Sequence, residues 1–155
     1  RMVLYPKKLK VSKSLQKLIK RETYEVTFNK AFSEVIRNCS SIKREGQRGT
    51  WITSDMEKAY IDLHKQGHAI SVEVWHDKKL VGGLYGVDLS GKKIFCGESM
   101  FSSESNASKI GFYYLVSELR RKEYKLIDCQ LHTVHLESLG AEEISRQEFL
   151  QILDN

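Results

Sequence analysis

Nowhere in the 155 residues does an apolar run approach the roughly eighteen residues that span a bilayer, and the leading residues carry no signal-peptide pattern. A soluble, cytosolic chain is the expectation. Cysteine is scarce: Cys39, Cys96 and Cys129 are an odd number without CxxC spacing, which argues against a disulfide framework and a zinc ribbon. Proline occurs once, at Pro6, and neither a low-complexity stretch nor an internal repeat divides the chain. With 41% hydrophobic residues, this length suits one compact domain. A start at Arg1 rather than Met reads as a fragment.

Acids are missing where bases cluster. Between Arg1 and Arg21 stand eight basic residues and no acid, although the whole chain carries a formal charge of only +5. The stretch VSKSLQKLIKRE reads as a helix capped by Ser12, with Leu15, Leu18 and Ile19 inward and Lys13, Lys17, Lys20 and Arg21 on the other side. Like charges at helical spacing repel, and a solvated face normally mixes in acids. The face therefore suits a polyanion, most simply a phosphate backbone, with an ordinary lysine-rich surface as the alternative.

Beyond this segment helix and strand alternate. YEVTFNKAFSEVIRNCSSI reads as a strand entering a helix with Ala31, Val35 and Ile36 on one face. SDMEKAYIDLHKQGHA reads as a helix capped at Ser54 or Asp55 and stopped at Gly67. AISVEVWHD, KKLVGGLYGVDL and KKIFCGESMF follow as three strands joined by Asp77-Lys78-Lys79 and Ser90-Gly91 turns, an antiparallel meander. NASKIGFYYLVSELRRK is the longest helix, YKLIDCQL a returning strand, and a short helix around Arg146 to Leu150 ends the domain. The class is α+β. Three glycines in LVGGLYGV mark either a bulge with a close approach or a tolerated bend.

The reactive-looking residues crowd into LIDCQLHTVHLESLG. Strand alternation puts Asp128 and Gln130 on one face and Cys129 on the other, away from any local base, so Cys129 reads as an inert thiol. His132 and His135 lack a third ligand of clear spacing and read as structural or surface histidines rather than as a metal site. Asp128 and Gln130 are by pattern either a hydrogen-bonded core pair or a site. In GESMF, Glu98 would share a strand face with Met100, and Trp51 in GTWIT either stacks on a base or caps the core.

Taken in order, RGTWITSDMEKAYIDLHKQGHAISVEVW, LVGGLYGV, FCGESMFS, NASK, LIDCQ and HLESLGAEEISRQEFL resemble bacterial leucyl/phenylalanyl-tRNA–protein transferase from Arg1 to about Leu150. The resemblance implies a GNAT-like acyltransferase fold in a single domain over 1–155, with a basic leading segment and helix at 1–21 and a core at 24–150. It implies that the family's N-terminal domain, with its tryptophan-rich segment, is absent from this chain. It implies transfer of leucine, phenylalanine or methionine from aminoacyl-tRNA to proteins that begin with Arg or Lys, by a cytoplasmic monomer and as part of the N-end rule. No metal or organic cofactor is implied.

Matching positions carry the family's roles: Asp128 and Gln130 the chemistry, Glu98 the acceptor site, and Leu84, Met100, Phe112, Leu115 and Ile127 the aminoacyl pocket. Trp51 would meet the 3′ adenosine, and Lys13, Lys17, Lys20 and Arg21 the acceptor stem. On this reading the Gln130 carbonyl accepts a hydrogen bond from the attacking amine, while Asp128 fixes the Gln130 amide from its other side and stabilises developing positive charge. Two alternatives stand beside it. One is an acetyl-CoA-type N-acetyltransferase, which should carry a Gly-rich pyrophosphate loop where this chain reads SSESNASKIG. The other is a non-catalytic tRNA-binding domain.

Overall fold

The structure, a computed structural model, describes residues 1–42 and 50–154. The first two residues of the RGTWIT motif lie outside them. Seven strands, β1 (Met2–Leu4), β2 (Glu25–Phe28), β3 (Ala69–His76), β4 (Lys79–Leu89), β5 (Ile94–Ser102), β6 (Leu126–Gln130) and β7 (Glu142–Glu143), form one sheet in the order β2-β3-β4-β5-β6-β1-β7. The expected meander is β3-β4-β5, all antiparallel, and β6 returns parallel to β5 through the longest helix. That crossover makes the sheet mixed. The three-residue β1 lies between β6 and β7, a pairing with no periodic signature in so short a run.

Among the described residues six α-helices flank the sheet: α1 (Lys13–Lys20), α2 (Phe32–Ser41), α3 (Ser54–Lys65), α4 (Ala107–Arg121), α5 (Val134–Ser138) and α6 (Arg146–Asp154). Ser12 caps α1 as expected, its hydroxyl accepting from the Leu15 N–H at 3.2 Å. The α3 cap is Thr53 rather than Ser54 or Asp55: the Thr53 hydroxyl accepts from Met56 N–H, and Ser54 opens the helix itself. At the other end of α3, Gly67 at φ +81° lets the chain turn into β3.

The core divides by face. Phe112, Leu115, Val116 and Leu119 of α4 pack with Val72, Leu84, Phe95, Ile127, Met2 and Leu4 on one side of the sheet. On the other side α2 and α3 cover Tyr85 and Phe101, while α6 covers Val3, Ile94 and Leu126. Two of the β4 glycines permit close approaches, one to the helix layer and one within the sheet. A Cβ on Gly82 would stand 2.7 Å from the Ala107 Cβ at the start of α4, and one on Gly86 would stand 2.2 Å from the Cys96 carbonyl oxygen. Bulge and close approach occur together here, because the β4–β5 register shifts between Tyr85 and Gly86.

Candidate active site

Two bulges face each other where β5 and β6 part. On β5, Ser99 and Gly97 pair with adjacent residues of β4, which leaves Glu98 as the extra residue. On β6, Asp128 and Gln130 pair with adjacent residues of β1, which leaves Cys129 extra. The β5–β6 pairing ends at Cys96 and Asp128. Bulges re-aim side chains at strand ends, and here they re-aim Glu98 and the residues flanking Cys129.

The Gln130 backbone is the sharpest feature. Its φ is +65°, and across it the Leu131 N–H bonds to the Cys129 carbonyl at 2.8 Å, the rarer positive-φ kind of γ-turn. Such a conformation costs about 1–3 kcal/mol and persists only where the surroundings enforce it. Asp128 does so by accepting the Gln130 backbone N–H on Oδ1 at 2.9 Å. The Gln130 side chain donates its Nε2 to the Gly97 carbonyl at 3.0 Å and to Glu98 Oε1 at 3.2 Å. With its nitrogen so committed, its carbonyl oxygen is oriented, and none of the hydrogen bonds described among these residues uses it. The structure thus corrects one expectation: Asp128 holds the Gln130 main chain, and Gly97 with Glu98 holds its amide.

Glu98 in turn accepts the Tyr60 hydroxyl on Oε2 at 2.9 Å, and Trp51, 41% exposed, stands edge-on to the Tyr60 ring at 6.4 Å. Burial first, and then the bond to Glu98, push the Tyr60 hydroxyl well above the usual phenol range, so it stays a donor. The bulge sends the Glu98 carboxylate towards α3, whereas Met100 packs with the α4-side core, so the two do not share a strand face as simple alternation implied. At the far end, Asp128, 2% exposed, takes the Arg1 guanidinium on both oxygens, Nε to Oδ1 at 2.9 Å and an Nη to Oδ2 at 2.6 Å. Tyr60 and Arg1 escaped the sequence reading. Tyr60 left a faint signal, a phenol among the apolar positions of a helix whose hydroxyl needs a partner; Arg1 left none.

The remaining expectations sort by face. Leu84, Met100, Phe112, Leu115 and Ile127 belong to the single α4-side cluster, and four of them are 3% exposed or less. Half-buried Met100 forms the rim of that cluster together with Phe28, Ile70 and Cys129. The polar chain from Trp51 to Arg1 is built instead with Tyr60 of α3 and Phe149 of α6 on the opposite face. The parting of β5 and β6 lies between them. Lys13, Lys17 and Lys20 on α1 and Arg21 just after it are exposed, and α1 packs through Leu15 on Val74, Val81, Ala107 and Ile110, at the end of the sheet towards which β5 and β6 run.

Cys129 and Cys96 are poor nucleophiles, since burial pushes their thiols up to about 12 and about 11. His132 pairs with Glu137 at 3.1 Å, and burial holds His135 below the usual histidine range. Among the described residues no group of three or more His, Cys, Asp or Glu side chains is disposed to hold a metal ion. The first turn of α4 is also filled: Ala107 N–H bonds to the Glu104 carbonyl at 3.2 Å, and Ser108 N–H to the Ser102 hydroxyl at 3.2 Å. Those are donors that a pyrophosphate at a helix N-terminus would need.

Comparison with known proteins follows the same lines. On the α+β arrangement, L-PGS from Bacillus licheniformis superposes with a TM-score of 0.56 at 12% identity, over 99% of this chain and 53% of that one. A conserved protein of unknown function from Bacteroides thetaiotaomicron superposes at 0.52 and 14% identity, over 89% and 53%. At these identities the likeness is one of fold. In sequence, the chain is 56% identical over 153 residues to the leucyl/phenylalanyl-tRNA–protein transferase of Christiangramia forsetii and 58% identical to that of Flavobacterium johnsoniae. It is covered over 99% of its own length in both and spans 72% and 71% of theirs. The family described as leucyl/phenylalanyl-tRNA protein transferase matches residues 3–154, and this chain belongs to it.

Proposed function

We propose that the chain moves leucine or phenylalanine from aminoacyl-tRNA to the amino terminus of acceptor proteins that begin with Arg or Lys, acting as a monomer without a metal or organic cofactor. The observation that carries this reading is the arrangement across the β5–β6 parting. An apolar cluster rimmed by Met100 lies on one face, and an oriented amide oxygen backed by two carboxylates lies on the other.

The donor ester is already activated, so the enzyme chiefly has to align two substrates. An α-amine with an ordinary pKa of about 7.7–8.0 is a usable nucleophile near neutrality. Its lone pair attacks the ester carbonyl, the C–N bond forms, the bond to the tRNA 3′ oxygen breaks, and the proton lost by the amine ends on that oxygen. Gln130 Oε1 accepts a hydrogen bond from the amine and directs its lone pair. Glu98 faces the cationic first side chain of the acceptor, held in place by Tyr60. Leu84, Met100, Phe112, Leu115 and Ile127 receive the transferred side chain, with unbranched Met100 adapting to Leu, Phe or Met. One methylene discriminates by only about 1–3 kcal/mol, so rejection of valine or isoleucine depends on the shape of this pocket. Trp51 stacks on the 3′ adenosine, and Lys13, Lys17, Lys20 and Arg21 lie along the acceptor stem.

The filled first turn of α4 supports this reading over an acetyl-CoA-dependent one. The test mixes the gene-length protein, and this chain beside it, with tRNA carrying radiolabelled leucine and peptides starting in Arg, Lys or Ala. Label on the Arg and Lys peptides alone, abolished by RNase pretreatment, is the expected result. Bound tRNA with no labelled peptide from the gene-length protein would overturn the reading in favour of an RNA-binding domain.

A further inference from the structure

A carboxylate as buried as Asp128 must be paired, and its partner is supported from two sides. The Arg1 side chain forks onto Asp128 with Nε 2.9 Å from Oδ1 and an Nη 2.6 Å from Oδ2, while its plane lies over the Phe149 ring of α6 at 5.4 Å. The Arg1 main chain is tied to Ile144 just after β7, its N–H donating to the Ile144 carbonyl at 2.8 Å and its carbonyl accepting from the Ile144 N–H at 3.0 Å. The C-terminal segment thus fixes the guanidinium. Oδ1 of Asp128 is shared, taking Arg1 Nε and the Gln130 backbone N–H at the same 2.9 Å. Only one link therefore separates Arg1 from the strained turn that aims the Gln130 amide.

We propose that Arg1 is a positioning residue for the transfer reaction, acting through Asp128 to hold Gln130 in its productive conformation. The inference rests on the assignment of Asp128 and Gln130 above. A bidentate guanidinium fixes both the position and the rotation of a carboxylate, which a point charge cannot do. With Arg1 engaged on both oxygens, Asp128 is not a proton acceptor for the amine. Its task is to set the Gln130 backbone, and the guanidinium cancels its charge beside the cationic acceptor.

The test is a double-mutant cycle in the gene-length protein, with single-turnover transfer from leucyl-tRNA to an Arg-initial peptide as the readout. Arg1→Gln is expected to slow kcat on the order of ten- to a hundredfold, the scale of a roughly 1 Å misplacement. Binding of aminoacyl-tRNA and the acceptor KM stay within about twofold of wild type. Arg1→Gln combined with Asp128→Asn is expected to be no slower than Asp128→Asn alone, since the two act in series. Arg1→Lys, which keeps the charge without the fork, should fall between wild type and Arg1→Gln, and it carries the test if Arg1→Gln fails to fold. A wild-type rate in both Arg1 variants beside a slow Asp128→Asn would overturn the proposal and leave the assignment of Asp128 intact. A double variant slower by the product of the single losses would overturn it too, by showing that Arg1 acts on a substrate directly. Wild-type rates in all variants would sink the underlying assignment as well.

Discussion

Two carboxylates in this molecule are equally hidden and differently employed. Glu73, 0% exposed on β3, is saturated by its neighbours: Thr27 donates its hydroxyl at 2.6 Å, the Lys30 and Ala31 N–H groups donate at 3.3 Å, and Ser71 donates its hydroxyl. All four donors are neutral, and they tie the loop between β2 and α2 to the sheet. Asp128, 2% exposed, is held by a guanidinium whose side chain is 43% exposed and by the N–H of a residue in a strained turn. A buried charge completed by fixed neutral donors is scaffold. One completed by a strained turn and a partner at the surface stands where the β5–β6 pairing ends.

Exchanging the two acids for their neutral isosteres should break the comparison most visibly. Glu73→Gln turns one acceptor oxygen into a donor facing donors and should destabilise by about 2–4 kcal/mol in a denaturant melt, with transfer activity per folded molecule nearly intact. Asp128→Asn should lose about a hundredfold or more in kcat while costing less stability than Glu73→Gln. Were the two to lose stability and activity in parallel, the distinction between scaffold and site would collapse. Next in size is the basic helix. Lys13, Lys17 and Lys20 changed together to Ala should weaken tRNA binding and lower the slope of log K against log salt by about 2–3, one phosphate contact per lysine, without changing single-turnover kcat at saturating tRNA.

A smaller effect is expected at Tyr60, which touches the site from the opposite end to Arg1. Tyr60→Phe removes a hydrogen bond to a carboxylate worth about 1.5–3 kcal/mol at most. Transfer to Arg- and Lys-initial peptides should fall about tenfold through KM rather than kcat, given the acceptor role proposed for Glu98. The smallest effect should come from the cysteines. With Cys129 pushed up to about 12 and Cys96 to about 11, both are thiols at neutral pH. Iodoacetamide at pH 7.5 should therefore leave activity within about twofold, and rapid stoichiometric inactivation would point to a nucleophilic thiol after all.

What the sequence made legible was whatever repeats at short range. The meander, the α4 crossover, the basic face of α1 and its Ser12 cap follow from alternation, helical spacing and capping chemistry, and all of them stand in the structure. Elements defined by distant partners did not announce themselves. β1 exists because three apolar residues fit between β6 and β7, and α5 and the two-residue β7 are too short to show a period. At the site, the residue types were readable and their aim was not. Alternation assumes an unbroken strand, and the extra residues Glu98 and Cys129 break it where the side chains matter. That is why Glu98 turned out to face Tyr60 rather than to accompany Met100, and why Asp128 grips the Gln130 backbone rather than its amide.

The central claim is that an oriented Gln130 oxygen, and no thiol or metal, directs the attacking amine. Its most direct test is single-turnover transfer by Gln130→Ala in the gene-length protein at saturating leucyl-tRNA, beside a filter-binding measurement of tRNA affinity. The account predicts a rate at least about a hundredfold below wild type with affinity unchanged. A rate within twofold of wild type would contradict it.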